Sequence, residues 1–219
     1  MKDKRFVFIS DFDGTLTDKD FYKIIIDKYL GEEGKKLYNA WRKNEYKDKD
    51  FLHKIYSSIN RSEEEILKDI LEIQWDENAN RVIKRIKDSG GEFVILSAGT
   101  SYYIDRLLKD KNLSDIKVYS NPGEYKDRGI HLKIDKNSPY FSEVYGIDKG
   151  KVVKELKSKY GFVYYAGDSA PDIVPCKLAD ICFAKDKLQD MLKEEGVKFI
   201  PINNYADVEK YLIETEVLI

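Results

Sequence analysis

Two aspartates one residue apart, Asp11 and Asp13, stand where the apolar run at residues 6–9 ends. A carboxylate can attack a phosphoryl group and hold it as an acyl phosphate, and the departing alkoxide then needs a proton from a second acid. Side chains at i and i+2 of an extended turn point the same way, so both acids face one substrate and Phe12 points into the fold. Thr15 offers a hydroxyl and an amide to phosphate oxygens. The alternative interpretation is an acidic turn with solvated aspartates.

A second apolar run, at residues 93–96, leads into Ser97, Ala98 and Gly99. The run predicts a buried strand, and the chain after it predicts a helix over 98–110. We expect the Ser97 hydroxyl and the amides of Ala98 and Gly99 to bind the non-transferring phosphate oxygens. The alternative is an ordinary turn, because small residues are common in the turn after a strand.

A lysine, Lys149, lies in the first turn of a helix predicted from the spacing of Val152, Val153 and Leu156. A positive charge at the start of a helix opposes the helix dipole, and a residue that breaks a local rule tends to mark a functional site. The charge of a phosphate would compensate it. The alternative is a solvated surface lysine.

Another strand is predicted at residues 162–166, and Asp168 and Asp172 follow it. We expect Asp168 to lie beside Asp11 and, with a backbone carbonyl, to form an oxygen-rich site. Such a site suits Mg²⁺, which takes few carboxylates and keeps several waters. Asp172 is a candidate metal ligand, directly or through water, or a residue that orients Lys149. The alternative is an ordinary acidic residue near a helix start, which the dipole favours.

Most of these residues follow apolar runs with the length and composition of buried strands. In a parallel α/β sheet, the carboxyl ends of the strands form the edge where ligands bind. We therefore expect Asp11, Ser97 and Asp168 to meet at one edge of a parallel sheet.

The stretch between the first two motifs, residues 18–78, has helical patterns and almost no strand pattern. Ser62 and Glu65 form a possible capping box within it. We predict that 18–78 is a helical cap and that 1–17 and 79–219 form the catalytic core. A lid at this place can close on a small substrate and exclude water, which favours a small phosphorylated metabolite. The alternative is a helical decoration that only buries apolar surface.

Taken together and in this order, the motifs resemble the phosphatases of the haloacid dehalogenase superfamily. The resemblance extends from about residue 5 to about residue 185, and its specificity lies in the set of motifs. It implies an α/β fold with a three-layer, Rossmann-like parallel sheet core. The matching residues are Asp11-x-Asp13-Gly-Thr15, Ser97, Lys149 and Gly167-Asp168-x-x-x-Asp172.

The resemblance also implies a role for each residue. Asp11 would be the nucleophile, Asp13 the general acid and base, and Lys149 the group that stabilises the nucleophile and the phosphoryl charge. Asp11, the Asp13 carbonyl and Asp168 would hold Mg²⁺, with Asp172 as a further candidate. The ATPases and dehalogenases of the superfamily lack an acid at the second aspartate, so Asp13 favours hydrolysis of a phosphomonoester through an aspartyl-phosphate intermediate.

The early cap resembles that of the phosphoserine phosphatase branch and of the methionine-salvage phosphatases that act on a methylthiopentenyl phosphate. The chain departs from the first group at Asp20, where that group has Glu, and at residues 97–100, where it has Ser-Gly-Gly-Phe. It departs from the second at Gly150, which replaces a proline after the lysine. These departures leave the substrate open.

Two other functions are compatible with the same residues. One is a phosphotransferase that passes the phosphoryl group to an alcohol, and the other is a catalytically idle member of the fold used for binding or regulation. The intact set of acids argues against the idle form.

The composition argues against nucleic acids and membranes as binding partners. The 219 residues have a formal net charge of −2, which argues against a nucleic-acid groove. We find neither an apolar signal stretch nor a run of membrane-span length, so we expect a cytoplasmic enzyme without a membrane partner. Cys176 and Cys182 resemble small core residues, and we predict neither a disulfide nor a zinc site. The oligomeric state is not predicted.

Overall fold

The protein is described by a computed structural model that covers residues 6–218. The outermost parts of the predicted core, 1–5 and 219, lie outside the described residues. The centre of the fold is a parallel sheet whose strands are β1 (Phe6–Ser10), β2 (Gly91–Thr100), β3 (Lys117–Asn121), β8 (Val163–Gly167), β9 (Ile181–Ala184) and β10 (Ile200–Pro201). Their order across the sheet is β10-β9-β8-β1-β2-β3.

Strand β1 shows why this chain forms a sheet covered on both faces. All five of its residues are buried, as expected for a parallel strand with helices on either side. Because successive side chains point to opposite faces, Phe8 packs into one apolar cluster and Val7 and Ile9 pack into another. The two clusters and the sheet give the predicted three-layer, Rossmann-like arrangement, which is confirmed.

Four helices lie between β1 and β2 in the region predicted to be a cap. They are α1 (Phe21–Ile25), which continues into a π-helical turn (Ile26–Leu30), α2 (Gly31–Arg42), α3 (Asp48–Ser57) and α4 (Glu63–Leu71). Helix α4 begins with the predicted capping box: the Glu65 amide donates to the Ser62 hydroxyl, and the Ser62 amide donates to the Glu65 carboxylate. The division into cap and core at residues 18–78 stays a prediction.

The core helices cover both faces of the sheet. They are α5 (Ala79–Asp88), α6 (Ser101–Asp110), α7 (Lys149–Tyr160), α8 (Ile173–Leu178), α9 (Asp186–Glu194) and α10 (Tyr205–Glu214). Helix α6 begins three residues later than predicted, because β2 continues through Thr100, whose hydroxyl accepts from the Tyr102 amide. Residues 97–99, which are predicted to bind phosphate, therefore lie near the end of strand β2 and not in a helix.

Two antiparallel hairpins follow β3, and the first of them forms hydrogen bonds with the region predicted to be a cap. It consists of β4 (Gly123–Lys126) and β5 (Gly129–Leu132), and the second consists of β6 (Phe141–Ser142) and β7 (Gly146–Ile147). The Leu132 amide donates to Nδ1 of His53 in α3, and the Arg61 amide donates to the Arg128 carbonyl. The helices after β1 are thus hydrogen-bonded to a hairpin that follows the edge strand β3.

Cys176 in α8 and Cys182 in β9 form a disulfide. The prediction that the cysteines are not joined is wrong, although both are buried as core residues. The helix packs against the strand that follows it, which brings the two Cα atoms to 5.1 Å, within the usual range for a disulfide. Two cysteines six residues apart give no sign of this in the sequence.

Candidate active site

The predicted motifs converge on a cleft of about 560 Å³ between the carboxyl edge of the sheet and helices α1, α2 and α3 of the predicted cap. Strands β1, β2 and β8 are neighbours, so the turns that follow them lie side by side. The predicted residues that line the cleft are Asp11, Asp13, Ser97, Ala98, Gly99, Lys149 and Asp168.

Asp11 lies at the end of β1, where its amide donates to the Ala166 carbonyl of β8 at 2.8 Å. Its Oδ1 accepts from Lys149 Nζ at 2.8 Å and from the Phe12 amide at 2.7 Å. Burial and the neighbouring Asp172 carboxylate raise the pKa of Asp11 well above its ordinary value, and Lys149 opposes the shift. A bound cation would act in the same direction as the lysine.

Asp13 points toward the cleft with both oxygens in hydrogen bonds. Oδ1 accepts from the Phe21 amide at 3.1 Å, and Oδ2 accepts from the Tyr103 hydroxyl. Burial, followed by repulsion from Asp20, raises the pKa of Asp13 to about 7, against the effect of these hydrogen bonds. A carboxyl group with a pKa near neutrality can both give and take a proton. The side chain of Phe12, between the two aspartates, is fully buried as predicted.

Lys149 is the first residue of α7, and only 4% of it is exposed. Its Nζ lies 2.8 Å from Asp11 Oδ1 and 2.7 Å from Asp172 Oδ1. Burial lowers the pKa of Lys149, but the two carboxylates outweigh burial and raise it overall. The lysine is therefore a fixed ammonium group, and the charge it faces is present before any phosphate binds.

Three carboxylates meet at the same place. Asp11, Asp168 and Asp172 each have an oxygen within 4.8 Å of the others. Burial and repulsion from Asp172 raise the pKa of Asp168 to about 7. One ammonium group does not neutralise three carboxylates, and this excess of oxygen donors is the chemistry that suits Mg²⁺. Gly14 makes room for the Asp168 carboxylate, because a Cβ at this position would lie 2.5 Å from Asp168 Oδ2. The backbone φ of Gly14 is +78°, which also favours glycine.

Asp172 differs from the other two because it is fully buried and its oxygens already have partners. Oδ1 accepts from Lys149 at 2.7 Å and from the Tyr165 hydroxyl at 2.6 Å. Oδ2 accepts from the amides of Asp168 and Ser169 at 3.1 and 3.2 Å. Of the roles left open by the sequence, these contacts favour orientation of Lys149 over metal ligation.

Thr15 does not line the cleft, and its binding of phosphate oxygens stays a prediction. Its hydroxyl lies 3.4 Å from Asp168 Oδ1, and its amide donates to the Phe12 carbonyl within the turn. Ser97 differs, since it lines the cleft and its hydroxyl lies 3.5 Å from Asp13 Oδ2 while it accepts from the Gly99 amide at 3.0 Å.

The opposite wall of the cleft belongs to the cap helices and was not predicted. In this wall, Trp41 of α2 and Phe51 of α3 stack with ring centroids 4.6 Å apart. Lys23 is paired with Asp20 at 2.5 Å. Aromatic residues at helical spacing are usually core residues, so the sequence contained no signal that these face a ligand. The aromatic lining residues of this wall are Tyr22, Tyr38, Trp41, Phe51 and Tyr56, whereas Tyr103 of α6 lines the cleft from the core.

Comparison with known proteins gives the family. The model of the haloacid dehalogenase-like hydrolases matches residues 8–174, which is more than half of the chain. The chain belongs to the haloacid dehalogenase-like hydrolase family. The predicted resemblance and the assignment as an enzyme are thereby confirmed.

Proteins similar to this chain include enzymes named as phosphatases. The bifunctional enzyme MtnB/MtnX of Bacillus licheniformis is 25% identical over 216 residues, covering 95% of this chain and 49% of that enzyme. The chain thus spans about half the length of that relative. The 2-hydroxy-3-keto-5-methylthiopentenyl-1-phosphate phosphatase of Bacillus cereus is 23% identical over 212 residues, covering 94% of this chain and 96% of that enzyme.

A similar solved structure is that of a phosphoserine phosphatase with an analogue of the phospho-aspartyl intermediate. It has a TM-score of 0.69 and 22% identity, and the match covers 96% of this chain and 99% of that one. At this identity the likeness confirms the fold. Within residues 6–218, no helix has both the length and the apolar character needed to cross a bilayer.

Proposed function

We propose that the protein is a magnesium-dependent phosphomonoester hydrolase that acts on a small phosphorylated metabolite through an aspartyl phosphate. The observation that carries this proposal is the convergence of Asp11, Asp13, Lys149 and Asp168, from four distant parts of the sequence, on one cleft. Each provides a function that phosphoryl transfer needs: a nucleophile, an acid, a fixed positive charge and a metal ligand.

In the first half of the reaction, Asp11 attacks the phosphorus atom. Its Oδ1 is held by Lys149 and by the Phe12 amide, which leaves Oδ2 for the new bond to phosphorus. As the bond between phosphorus and the ester oxygen breaks, Asp13 gives its proton to that oxygen, and the alcohol leaves. Lys149 balances negative charge on the nucleophile and the phosphoryl group.

In the second half, a water molecule replaces the alcohol. Asp13, now a carboxylate, takes one proton from the water as the water oxygen bonds to phosphorus. The bond between phosphorus and Asp11 then breaks and inorganic phosphate is released. The same residue thus serves as acid and base in turn, which agrees with a pKa of about 7 for Asp13.

Asp11, the Asp13 carbonyl and Asp168 would hold the magnesium ion. The ion would supply positive charge that stabilises the transferring phosphoryl group. We assign Asp172 to the orientation of Lys149 and of the chain at Asp168, because Oδ1 accepts from Lys149 and Tyr165 and Oδ2 accepts from the amides of Asp168 and Ser169. The Thr15 hydroxyl donates to Asp168 Oδ1 and also helps to orient this carboxylate.

The cap wall supports a substrate with an apolar part. The B. cereus relative is named for a methylthiopentenyl phosphate, whereas phosphoserine would require charged partners for its ammonium and carboxylate groups. In this cleft the cap wall is mainly aromatic, and its charged residues are Asp20, Lys23, Arg42 and Asp48. Lys23 pairs with Asp20, and the Arg42 guanidinium lies over the Trp41 ring at 5.9 Å, so both cations already have partners. We therefore favour a phosphate ester with an apolar alcohol, similar to a methylthiopentenyl phosphate, over phosphoserine.

Three broader expectations stay proposals. We propose that residues 18–78 act as the cap, that water and not an alcohol accepts the phosphoryl group, and that the enzyme works in the cytoplasm. The disulfide between Cys176 and Cys182 argues against an ordinary reducing cytoplasm, because disulfides are rare in reducing compartments. Hyperthermophiles are the exception, and a cytoplasm of that kind would agree with the disulfide.

The test is phosphate release from p-nitrophenyl phosphate and a panel of small phosphate esters, with Mg²⁺ or with EDTA. We expect turnover only with Mg²⁺, and its loss in Asp11→Asn. The control is Asp88→Asn, which removes an exposed carboxylate at the end of α5. Mass spectrometry of rapidly quenched wild-type enzyme should detect one phosphoryl group on the peptide that contains residue 11. Substantial turnover by Asp11→Asn would refute the nucleophile assignment, and alkyl phosphate products in the presence of alcohols would indicate a transferase.

A further inference from the structure

The side chain of Tyr103, in α6, reaches from the core to the carboxyl group of Asp13. Tyr103 is fully buried, and its hydroxyl donates to Asp13 Oδ2. It lines the cleft beside Asp13 but was not part of any motif. We propose that Tyr103 is a positioning residue for the general acid, so that its hydroxyl fixes the direction in which Asp13 delivers a proton. This inference rests on the proposed role of Asp13.

The backbone is shaped to admit this hydroxyl. A Cβ at Gly99 would clash with the Tyr103 hydroxyl and would lie 3.0 Å from Asp13 Oδ2. Only a residue without a side chain can occupy this place while the hydrogen bond is present. The Ser97 hydroxyl lies 3.5 Å from the same carboxylate oxygen, farther than the tyrosine, so Tyr103 is the closer donor.

The second oxygen of Asp13 is held from the cap. The amide of Phe21, the first residue of α1, donates to Asp13 Oδ1 at 3.1 Å. The ring of Phe21 also packs on the ring of Tyr103, with centroids 4.7 Å apart, and Tyr56 of α3 lies on Tyr103 at 6.2 Å. The closest donors to the two oxygens, Tyr103 and Phe21, hold the carboxyl group from both sides and pack against each other.

Orientation matters for a general acid because proton transfer occurs only over a hydrogen-bonding distance and direction. The need for the proton depends on the leaving group. An alkyl alkoxide is a strong base and must be protonated as it leaves, whereas p-nitrophenolate is stable without a proton. Loss of the Tyr103 hydroxyl should therefore impair alkyl phosphates much more than p-nitrophenyl phosphate. A purely structural role would impair both alike.

The experiment compares Tyr103→Phe with the wild type on ethyl phosphate and on p-nitrophenyl phosphate, with Mg²⁺ present. The quantity is kcat/KM, which reports the step that forms the phospho-enzyme. We expect a loss of about 10- to 100-fold on ethyl phosphate, a part of the 10²- to 10⁴-fold effect of a whole general acid, and a change below about threefold on p-nitrophenyl phosphate. The control is Tyr160→Phe, which removes a hydroxyl donating to Glu92 at 2.9 Å on a side of the core away from the cleft.

Thermal unfolding of both variants shows whether they fold, and the ratio of the two substrates cancels any inactive fraction. An equal loss on both substrates, or no loss on ethyl phosphate, would overturn the inference. Asp13→Asn in the same assay separates it from the proposed function. If Asp13→Asn impairs ethyl phosphate selectively and Tyr103→Phe does not, the acid assignment stands and the role of Tyr103 is refuted. If Asp13→Asn shows no such selectivity, the acid assignment fails and the inference with it.

Discussion

The two walls of the cleft are built in different ways. On the core wall, hydrogen bonds and ion pairs fix each functional group: Lys149 lies between two carboxylates, and Asp13 has a donor on each oxygen. On the cap wall, rings such as Trp41 and Phe51 are held mainly by stacking on one another. Hydrogen bonds demand particular partners, whereas aromatic packing tolerates exchange. We therefore expect the chemistry of this enzyme to tolerate few substitutions and its recognition of the substrate alcohol to tolerate more.

The largest expected effect is a fall in kcat when Lys149 of the core wall is replaced. Lys149→Met should lower kcat by about 10²- to 10³-fold, the range for removing one preorganised electrostatic group, because Asp11 and Asp172 would then face each other without a cation. Steady-state kinetics on p-nitrophenyl phosphate provides the measurement. Lys151→Met, on the same helix but exposed, should behave as the wild type, and a similar loss in both variants would contradict the assignment.

The second effect concerns stability. The clustered carboxylates repel one another, so Mg²⁺ should raise the melting temperature by an amount equivalent to about 2.7 kcal/mol at a concentration 100 times its Kd. Calorimetry with Mg²⁺ and with EDTA would measure it. Asp168→Asn removes one of the three charges, so we expect this variant to show no magnesium-dependent rise. In EDTA it should be at least as stable as the wild type. A full rise in the variant would place the metal elsewhere.

A smaller effect is expected on the cap wall. Trp41→Ala removes an aromatic surface, which should raise KM for phosphate esters with apolar alcohols about tenfold, equivalent to about 1.4 kcal/mol. For glycerol phosphate, KM should change little, and kcat should be kept for both. Tyr46→Ala, a cap aromatic that does not line the cleft, is the matched control. A fall in kcat of Trp41→Ala on every substrate would show that the two walls are not separable in function.

The smallest effect concerns a carboxylate away from the cleft. Glu209 accepts from Arg81 at 2.8 Å and from Arg85 at 3.0 Å, and these bonds lower the pKa of Glu209, in contrast to the raised values at the cleft. A lowered pKa in the folded state gives stability that is present above the ordinary value of 4.5 and lost as the pH falls through the folded value. We expect Glu209→Gln to lower the unfolding free energy by about 0.5–1 kcal/mol at pH 7 and to have less effect at pH 3. Urea denaturation at the two pH values measures this.

For that experiment Glu214→Gln is the control, since this exposed residue lies on the same helix. An equal effect of Glu209→Gln at both pH values would show that packing, and not the ion pair, is lost.

The difference between the walls also explains which parts of the molecule could be predicted. Asp11, Ser97 and Asp168 follow buried strands, and neighbouring parallel strands must bring their ends together, so a local pattern suffices. The contact of Thr15 with Asp168 could not be predicted, and the pairing of Asp172 with Lys149 was only one of several alternatives, because both depend on which side of a turn each side chain takes after packing. Tyr103, Trp41 and the other rings of the cleft lie on helices, where the face that meets a ligand is decided by tertiary contacts.

The bridge between Cys176 and Cys182 has a practical consequence for anyone who purifies this enzyme. Closing so short a loop restricts the unfolded chain by about 2 kcal/mol in the loop-entropy treatment. Buffers with thiol reductants would therefore yield a second form of the same polypeptide that melts earlier, although neither cysteine lines the cleft. Variants compared for heat resistance must be brought to the same oxidation state before any ranking is meaningful.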